Sequence, residues 1–122
     1  MIDAEINNKL RERGVADYLQ GEGRDGLVAR WRSFVEEVEQ GYKLGIDDYR
    51  NDLDMREILE DVGLGNDAEV NALDERFRAQ MQNTAVQTWK SKHPSAFWVR
   101  GYPLRLSESL ARDLEAFGLK DK

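Results

Sequence analysis

Apolar residues recur along the chain at helical spacing in successive stretches. Ile2, Ile6 and Leu10, followed by Val15, Tyr18 and Leu19, predict a first helix over 2–19, weakened at Gly14. Gly21-Glu22-Gly23-Arg24-Asp25-Gly26 reads as a flexible turn after it. The clearest period follows. Leu27, Trp31, Phe34, Val35 and Val38 fall on one face, with Arg30, Arg32, Glu36, Glu37 and Glu39 on the other, and Gly41 is placed as a C-cap.

Ile46, Tyr49 and Leu53 share a further helical face, after which the register slips to Met55, Ile58, Leu59 and Val62. Asp54 and Glu57 have the spacing of a capping box, so the pattern predicts two short helices, or one kinked helix, meeting near Leu53–Asp54. Gly63-Leu64-Gly65 ends that element, and Asn66 with Glu69 opens another whose buried face is Val70, Leu73, Phe77 and Met81. Residues 83–89 are poor helix formers; the element either runs on as helix to Lys92 or becomes a strand, and His93-Pro94 stops it in both cases. Ser107 caps a last helix, with Leu110, Leu114 and Phe117 directed inward and Gly118 at its end.

The expected fold is all-α: one domain over 1–122, of five or six helices, with an irregular aromatic crossover near 94–106. The alternative is α+β, with a small hairpin around 84–100. At 122 residues a single core suffices to bury roughly two-thirds of the unfolded surface. With no cysteine, the chain is expected to carry no disulfide framework, thiol nucleophile, zinc ribbon or iron–sulfur site, and no cofactor is expected. No apolar run reaches the ~20 residues of a membrane span, and the acidic start Met1-Ile2-Asp3-Ala4-Glu5 does not read as a signal peptide. A cytoplasmic bacterial protein is the expectation.

Charge changes the picture of possible partners. The net charge of −6 divides unevenly: residues 36–75 carry −11 and residues 76–122 carry +5. The two regions can attract each other within one fold or steer a partner. An overall acidic chain without a dense Lys/Arg cluster argues against nucleic acid and against a membrane surface as partners.

Candidate chemistry is sparse. Residues 21–26 match G-x-G-x-x-G literally, but no strand precedes them and Glu22 and Asp25 would repel phosphate, so the segment reads as a turn. Glu36 and Glu39, with Asp48 and Asp52 one turn apart, could hold Mg²⁺ in a nucleotide or phosphoester hydrolase if they converged on one cleft; the other reading is a solvated acidic face. Asp47 to Asp61 lacks the spacing of a calcium-binding EF-hand. His93, the single histidine, could serve as a general base if a carboxylate oriented it, but reads first as structural or exposed, and no catalytic residue is assigned. The aromatic crossover is more suggestive. Trp98, Arg100, Tyr102 and Arg105, with Trp89 nearby, are residue types that dominate interfaces, and alternation would turn one set outward. The competing reading has every ring filling the core.

Trp31-x-x-x-Val35-x-x-Val38-Glu39-x-Gly41-Tyr42, Asp48-Tyr49-x-Asn51-Asp52-Leu53-Asp54-x-Arg56, Leu73-Asp74-x-Arg76-Phe77, Phe97-Trp98-x-Arg100 and Leu110-x-x-Asp113-Leu114 resemble a family of small bacterial helical proteins of uncharacterised activity, over about residues 27 to 115. The resemblance implies a helical domain and brings no activity. Within its core, Tyr49, Asn51, Asp52, Asp54 and Arg56 read as a structural motif. Asp52 and Arg56 are spaced for an i,i+4 ion pair, as are Asp74 and Arg78; Asn51 and Asp54 are placed to cap backbone at the kink, and Arg56 could instead reach Glu36 or Glu39.

Together these features predict a non-enzymatic helical module that binds another protein or a second copy of itself. A Mg²⁺-dependent hydrolase and an acidic inhibitor or immunity-type protein are the alternatives.

Overall fold

The computed structural model describes residues 3–14 and 23–121. The predicted first helix appears as α1 (Asp3–Arg13), which buries Ile6 and Leu10 one turn apart. The readings at Val15, Tyr18, Leu19, Gly21 and Glu22 lie outside the described residues. The glycine-rich turn is corrected over 23–26: α2 (Gly23–Gln40) already begins at Gly23, and Arg24 in its first turn is gripped by Asp67 from across the fold, with Nε and Nη2 2.9–3.0 Å from the carboxylate. The apolar face of α2 is as the period predicts, with Leu27, Trp31, Phe34, Val35 and Val38 buried and joined by Val28.

Gly41 follows α2 at φ 111°, a left-handed conformation that glycine adopts without Cβ strain. The next helix, α3 (Ile46–Asp61), runs without a break through the predicted junction at Leu53–Asp54. Its register slips because it is packed on more than one side: Ile46, Tyr49 and Leu53 face the core, and Arg56, Glu57, Ile58 and Leu59 are all buried in the next two turns. The Asp54–Glu57 capping box is not formed. Instead Asp54 accepts the indole N–H of Trp89 at 2.9 Å, and Glu57 accepts donors from the loop 91–98.

Asp67, one residue after the expected cap, accepts the backbone N–H groups of Glu69 and Val70 and starts α4 (Ala68–Ala79). After Gln80 the chain becomes β1 (Met81–Gln87), pairs with β2 (Arg100–Pro103), and reaches it through a loop and a 3-10 turn at Phe97–Val99. The fold is thus mostly helical with a small antiparallel sheet, which corrects the all-α expectation in favour of the α+β alternative. The strand registers are Met81 with Pro103, Gln82 with Tyr102 and Gln87 with Arg100, so residues 83–86 bulge opposite Gly101 alone. Gly101 has φ 76°, and a Cβ there would lie 2.5 Å from the Gln82 carbonyl oxygen, so the close approach of the strands requires glycine. Ser107 caps α5 (Glu108–Ala116), which buries Leu110 and Leu114. Phe117 is 59% exposed, against the expectation that it points inward; the Arg50 guanidinium lies 5.0 Å from its ring centroid.

The core is one cluster joining all five helices and both ends of the hairpin. Its centre is aromatic: Trp31, Phe34, Tyr42, Tyr49 and Phe77 contact one another with centroids 5.2–5.9 Å apart. Beside it sits a closed ionic network. Arg56 makes two 2.9 Å bonds to the Asp74 carboxylate, whose Oδ1 also accepts the Trp31 indole N–H at 3.1 Å. This bidentate geometry satisfies charges that would be costly if left unpaired.

The chain's corner between α2 and α3 is held from a distance. Tyr42 N–H donates to Arg105 O, Ser107 N–H donates to Tyr42 O, and the Asp113 carboxylate on α5 accepts the Ile46 N–H that opens α3.

Candidate functional site

Glu57 and Asp61 are one turn apart on α3 and therefore project from the same helix face. The loop after β1 brings His93 to them. Its backbone folds back because the His93 N–H donates to Ser91 Oγ at 3.0 Å, and the His93 carbonyl accepts the Ala96 N–H across Pro94, a residue suited to the second position of a turn. The imidazole Nε2 lies 2.8 Å from Asp61 Oδ1 and 3.6 Å from Glu57 Oε2.

Each carboxylate is also held on its other oxygen. Glu57 Oε1 accepts Ser91 Oγ–H at 2.6 Å and the Trp98 indole N–H at 3.2 Å. Asp61 Oδ2 accepts the guanidinium of Arg13, while Lys92 Nζ approaches Asp61 Oδ1 to 3.2 Å. Burial pushes the Asp61 carboxyl upward, but the bonds from Arg13, His93 and Lys92 outweigh it and hold the group below the ordinary carboxylate range. Glu57, Asp61 and His93 form the one group among the described residues whose metal-capable atoms all lie within 4.8 Å of one another. A cleft of about 470 Å³, lined by Arg13, Asp54, Glu57, Lys90, Ser91 and Lys92, opens beside them. Ser91 donates to Glu57 and meets His93 only at the backbone N–H, so no Ser–His pair for acyl transfer is assembled.

A second concavity, about 370 Å³, lies where α4 meets the hairpin and is lined by Arg78, Met81, Thr84, Phe97 and Arg100. Phe97 rests on Phe77 of the core, and the Arg78 guanidinium stacks 4.1 Å from the Phe97 centroid. Arg78 and Arg100 are exposed. The pocket therefore has an apolar floor and two cationic walls.

The residues expected to form an interface are divided by the fold. Trp98 and Tyr102 are 2% and 6% exposed, which decides between the two readings of these rings in favour of the core: the 3-10 turn and the bulge break the alternation and direct both inward. Trp89 is half-buried, bonded to Asp54 and stacked under Arg50 at 4.8 Å. Arg105 is exposed and donates to the Glu39 carbonyl near the end of α2. Arg100 lines the pocket at the hairpin, and Arg105 lines a separate, more open concavity of about 540 Å³ with Tyr42, Lys43 and Leu104.

The proposed magnesium ligands do not meet. Glu39 pairs with Arg76 of α4, which draws its carboxyl down, and Glu36 points to solvent. Asp52 accepts the Tyr42 hydroxyl at 2.8 Å; burial pushes its carboxyl up, the Tyr42 bond opposes that, and Glu37 and Asp48 add repulsion. In the structural motif, Tyr49 is core, Asn51 is exposed, and Arg56 pairs with Asp74 and Glu60 rather than Asp52, Glu36 or Glu39. Arg78 pairs with Glu75, not Asp74.

Of the principal polar residues, Asp61 is not singled out by the sequence, His93 reads first as structural or exposed, and Asp74 and Arg78 read only as a pair with each other. A lone histidine before proline and two acids spaced i,i+4 were the available signal for the first two. No family model matches the chain, and neither a curated protein nor a solved structure is significantly similar to it, so the resemblance over 27–115 carries no family assignment. No helix among the described residues is long and apolar enough to cross a membrane.

Proposed function

We propose that this chain is a non-enzymatic interaction module that captures an acidic segment of a partner protein, seating an apolar side chain of that segment between Arg78 and Arg100. The observation that carries the reading is the pocket at the hairpin: Phe97 and Met81 offer an apolar floor, with Arg78 and Arg100 at its edge. Arginine beside a partly buried ring is a pairing that can concentrate binding energy at interfaces, and the positive charge of residues 76–122 favours an acidic visitor. The burial of Trp98 and Tyr102 moves the binding surface from the rings themselves to the pocket next to them.

The test is a fluorescence-anisotropy titration with a labelled peptide carrying acidic residues on both sides of one tryptophan. The expected result is a dissociation constant of about 10–100 μM at low salt, weakening several-fold as salt screens the arginines. The double variant R78E/R100E should lose this binding while its melting midpoint stays within a few degrees of the parent, since both side chains are exposed. Equal binding by parent and variant, or none up to about 1 mM peptide, overturns the reading. Sedimentation of the protein alone at both salt concentrations reports whether a second copy occupies the same pocket.

A further inference from the structure

At the end of α3 two carboxylates share a division of labour that the hairpin pocket does not use. Each has one oxygen fixed by outside donors and the other turned toward a single imidazole nitrogen. Trp98 and Ser91 hold Glu57 Oε1, while Oε2 faces His93 Nε2 and also accepts the Lys92 backbone N–H at 3.4 Å. Arg13 holds Asp61 Oδ2, leaving Oδ1 at the same nitrogen. Donors placed on the far side of each ligand are what orient metal-binding carboxylates. We propose that Glu57 Oε2, Asp61 Oδ1 and His93 Nε2 form a site for a divalent transition ion, with zinc as the ion to try first.

The spacing fits. An ion bonded at roughly 2.0–2.2 Å to each of three ligands sets those atoms about 3–3.6 Å apart. The separations from Nε2 are 2.8 and 3.6 Å and all three atoms lie within 4.8 Å of one another, so modest rotations of the three side chains close them on an ion. An imidazole with two carboxylates suits zinc and its neighbours better than magnesium or calcium, which prefer oxygen alone. The remaining coordination positions would go to water, for which the cleft beside Glu57 gives entry, past the cations Arg13, Lys90 and Lys92 that also line it.

Lys92 is the competitor. Its ammonium lies 3.2 Å from Asp61 Oδ1 and supplies positive charge where the ion would sit, but its side chain is 66% exposed and swings into solvent without disturbing the core. The ion therefore displaces an ammonium, not a packed group. Arg13 remains on Asp61 Oδ2.

The experiment uses the tag-free chain stripped with EDTA and titrated with zinc chloride by calorimetry, alongside thermal melts with and without zinc. The chain has one histidine and no cysteine, so a histidine-dependent signal has a single source. The expected result is one equivalent of zinc bound at micromolar or tighter affinity, a midpoint raised by several degrees, and no effect of magnesium at the same concentration. His93→Ala should weaken binding about 100-fold or more while melting within a few degrees of the parent in EDTA. Lys92→Ala should bind zinc more tightly than the parent.

Absence of both heat and midpoint shift overturns the site, and leaves His93 as a hydrogen-bond partner of Asp61. Undiminished binding by His93→Ala also overturns it. Binding by Lys92→Ala no tighter than the parent's removes the displacement step. A failed peptide titration leaves this result untouched, because R78E/R100E and His93→Ala alter different places.

Discussion

Arg56 and Glu57 are neighbours on α3, yet they lead into polar networks of opposite character. Arg56 turns inward to Asp74 and Trp31, where every charged atom has a partner and solvent is excluded. Glu57 turns toward the loop 91–98, where the network ends in the half-exposed imidazole of His93 and the exposed Lys92. The difference separates a polar group that organises a core from one available to a visitor. A closed ion pair offers nothing to a visitor, whereas Asp61, beside Glu57 and the cleft it lines, holds an exposed ammonium that can give way to another cation.

The comparison can be broken most forcefully at Asp74. Asp74→Ala leaves the buried Arg56 with only its 3.3 Å contact to Glu60, and should cost about 3–5 kcal/mol in urea unfolding, a large part of the usual ~5–15 kcal/mol stability of a domain. Replacing both partners with apolar residues, as in Arg56→Met with Asp74→Leu, should cost less than Asp74→Ala alone. If the double replacement costs more, the pair is not closed in the sense drawn above. Glu57→Ala is the matching cut in the open network. It strands the Trp98 indole N–H but leaves Ser91 free to turn toward water, so about 1–3 kcal/mol is expected by the same unfolding assay.

The smallest effect has the opposite sign. Asp52, half-buried with a single donor, sits between the two cases, and its folded pKa is raised by burial against the Tyr42 bond, with Glu37 and Asp48 adding repulsion. A raised carboxyl favours folding when protonated, below its unfolded value near 3.8, and that contribution is lost as pH rises through the folded pKa. Ionised Asp52 therefore works against the fold at neutral pH. Asp52→Asn, which keeps an acceptor for Tyr42, should stabilise by less than about 1 kcal/mol at pH 7, with the gain shrinking toward pH 4. Unfolding curves of parent and variant across that range check the sign.

What could be read from the chain follows the range of the forces involved. The face of α2, its Gly41 end and the Ser107 cap are set by residues within a turn or two, and each was legible as a pattern. The continuity of α3 was not. Its second face buries Arg56 and Glu57, and a polar residue is recognisable as buried only once its partner is known; the partners are 18 residues away for Arg56 and 34 to 41 for Glu57. Residues 83–89 stood open between helix and strand because their propensity is weak, and pairing with β2 decides in favour of strand over Met81–Gln87. Phe117 was placed inside by its period, yet α5 has already met the core through Leu110 and Leu114, and the next turn runs past it.

For the candidate sites, Arg100 was visible as an interface residue and Phe97 as part of the aromatic stretch, but their convergence with Arg78 depends on the hairpin. Glu57 was read as a helix cap and His93 as a helix stop. Both readings are local, and the 2.8 Å meeting of His93 with Asp61 spans 32 positions of sequence.

The corner between α2 and α3 bears on how the protein is made. α3 begins at Ile46, but the carboxylate that receives its first N–H belongs to Asp113, and the backbone bridge to Tyr42 comes from Arg105 and Ser107. A nascent chain emerging from the ribosome presents α2 and α3 long before those residues exist. The corner must wait, unlatched, until Asp113 has left the ribosome.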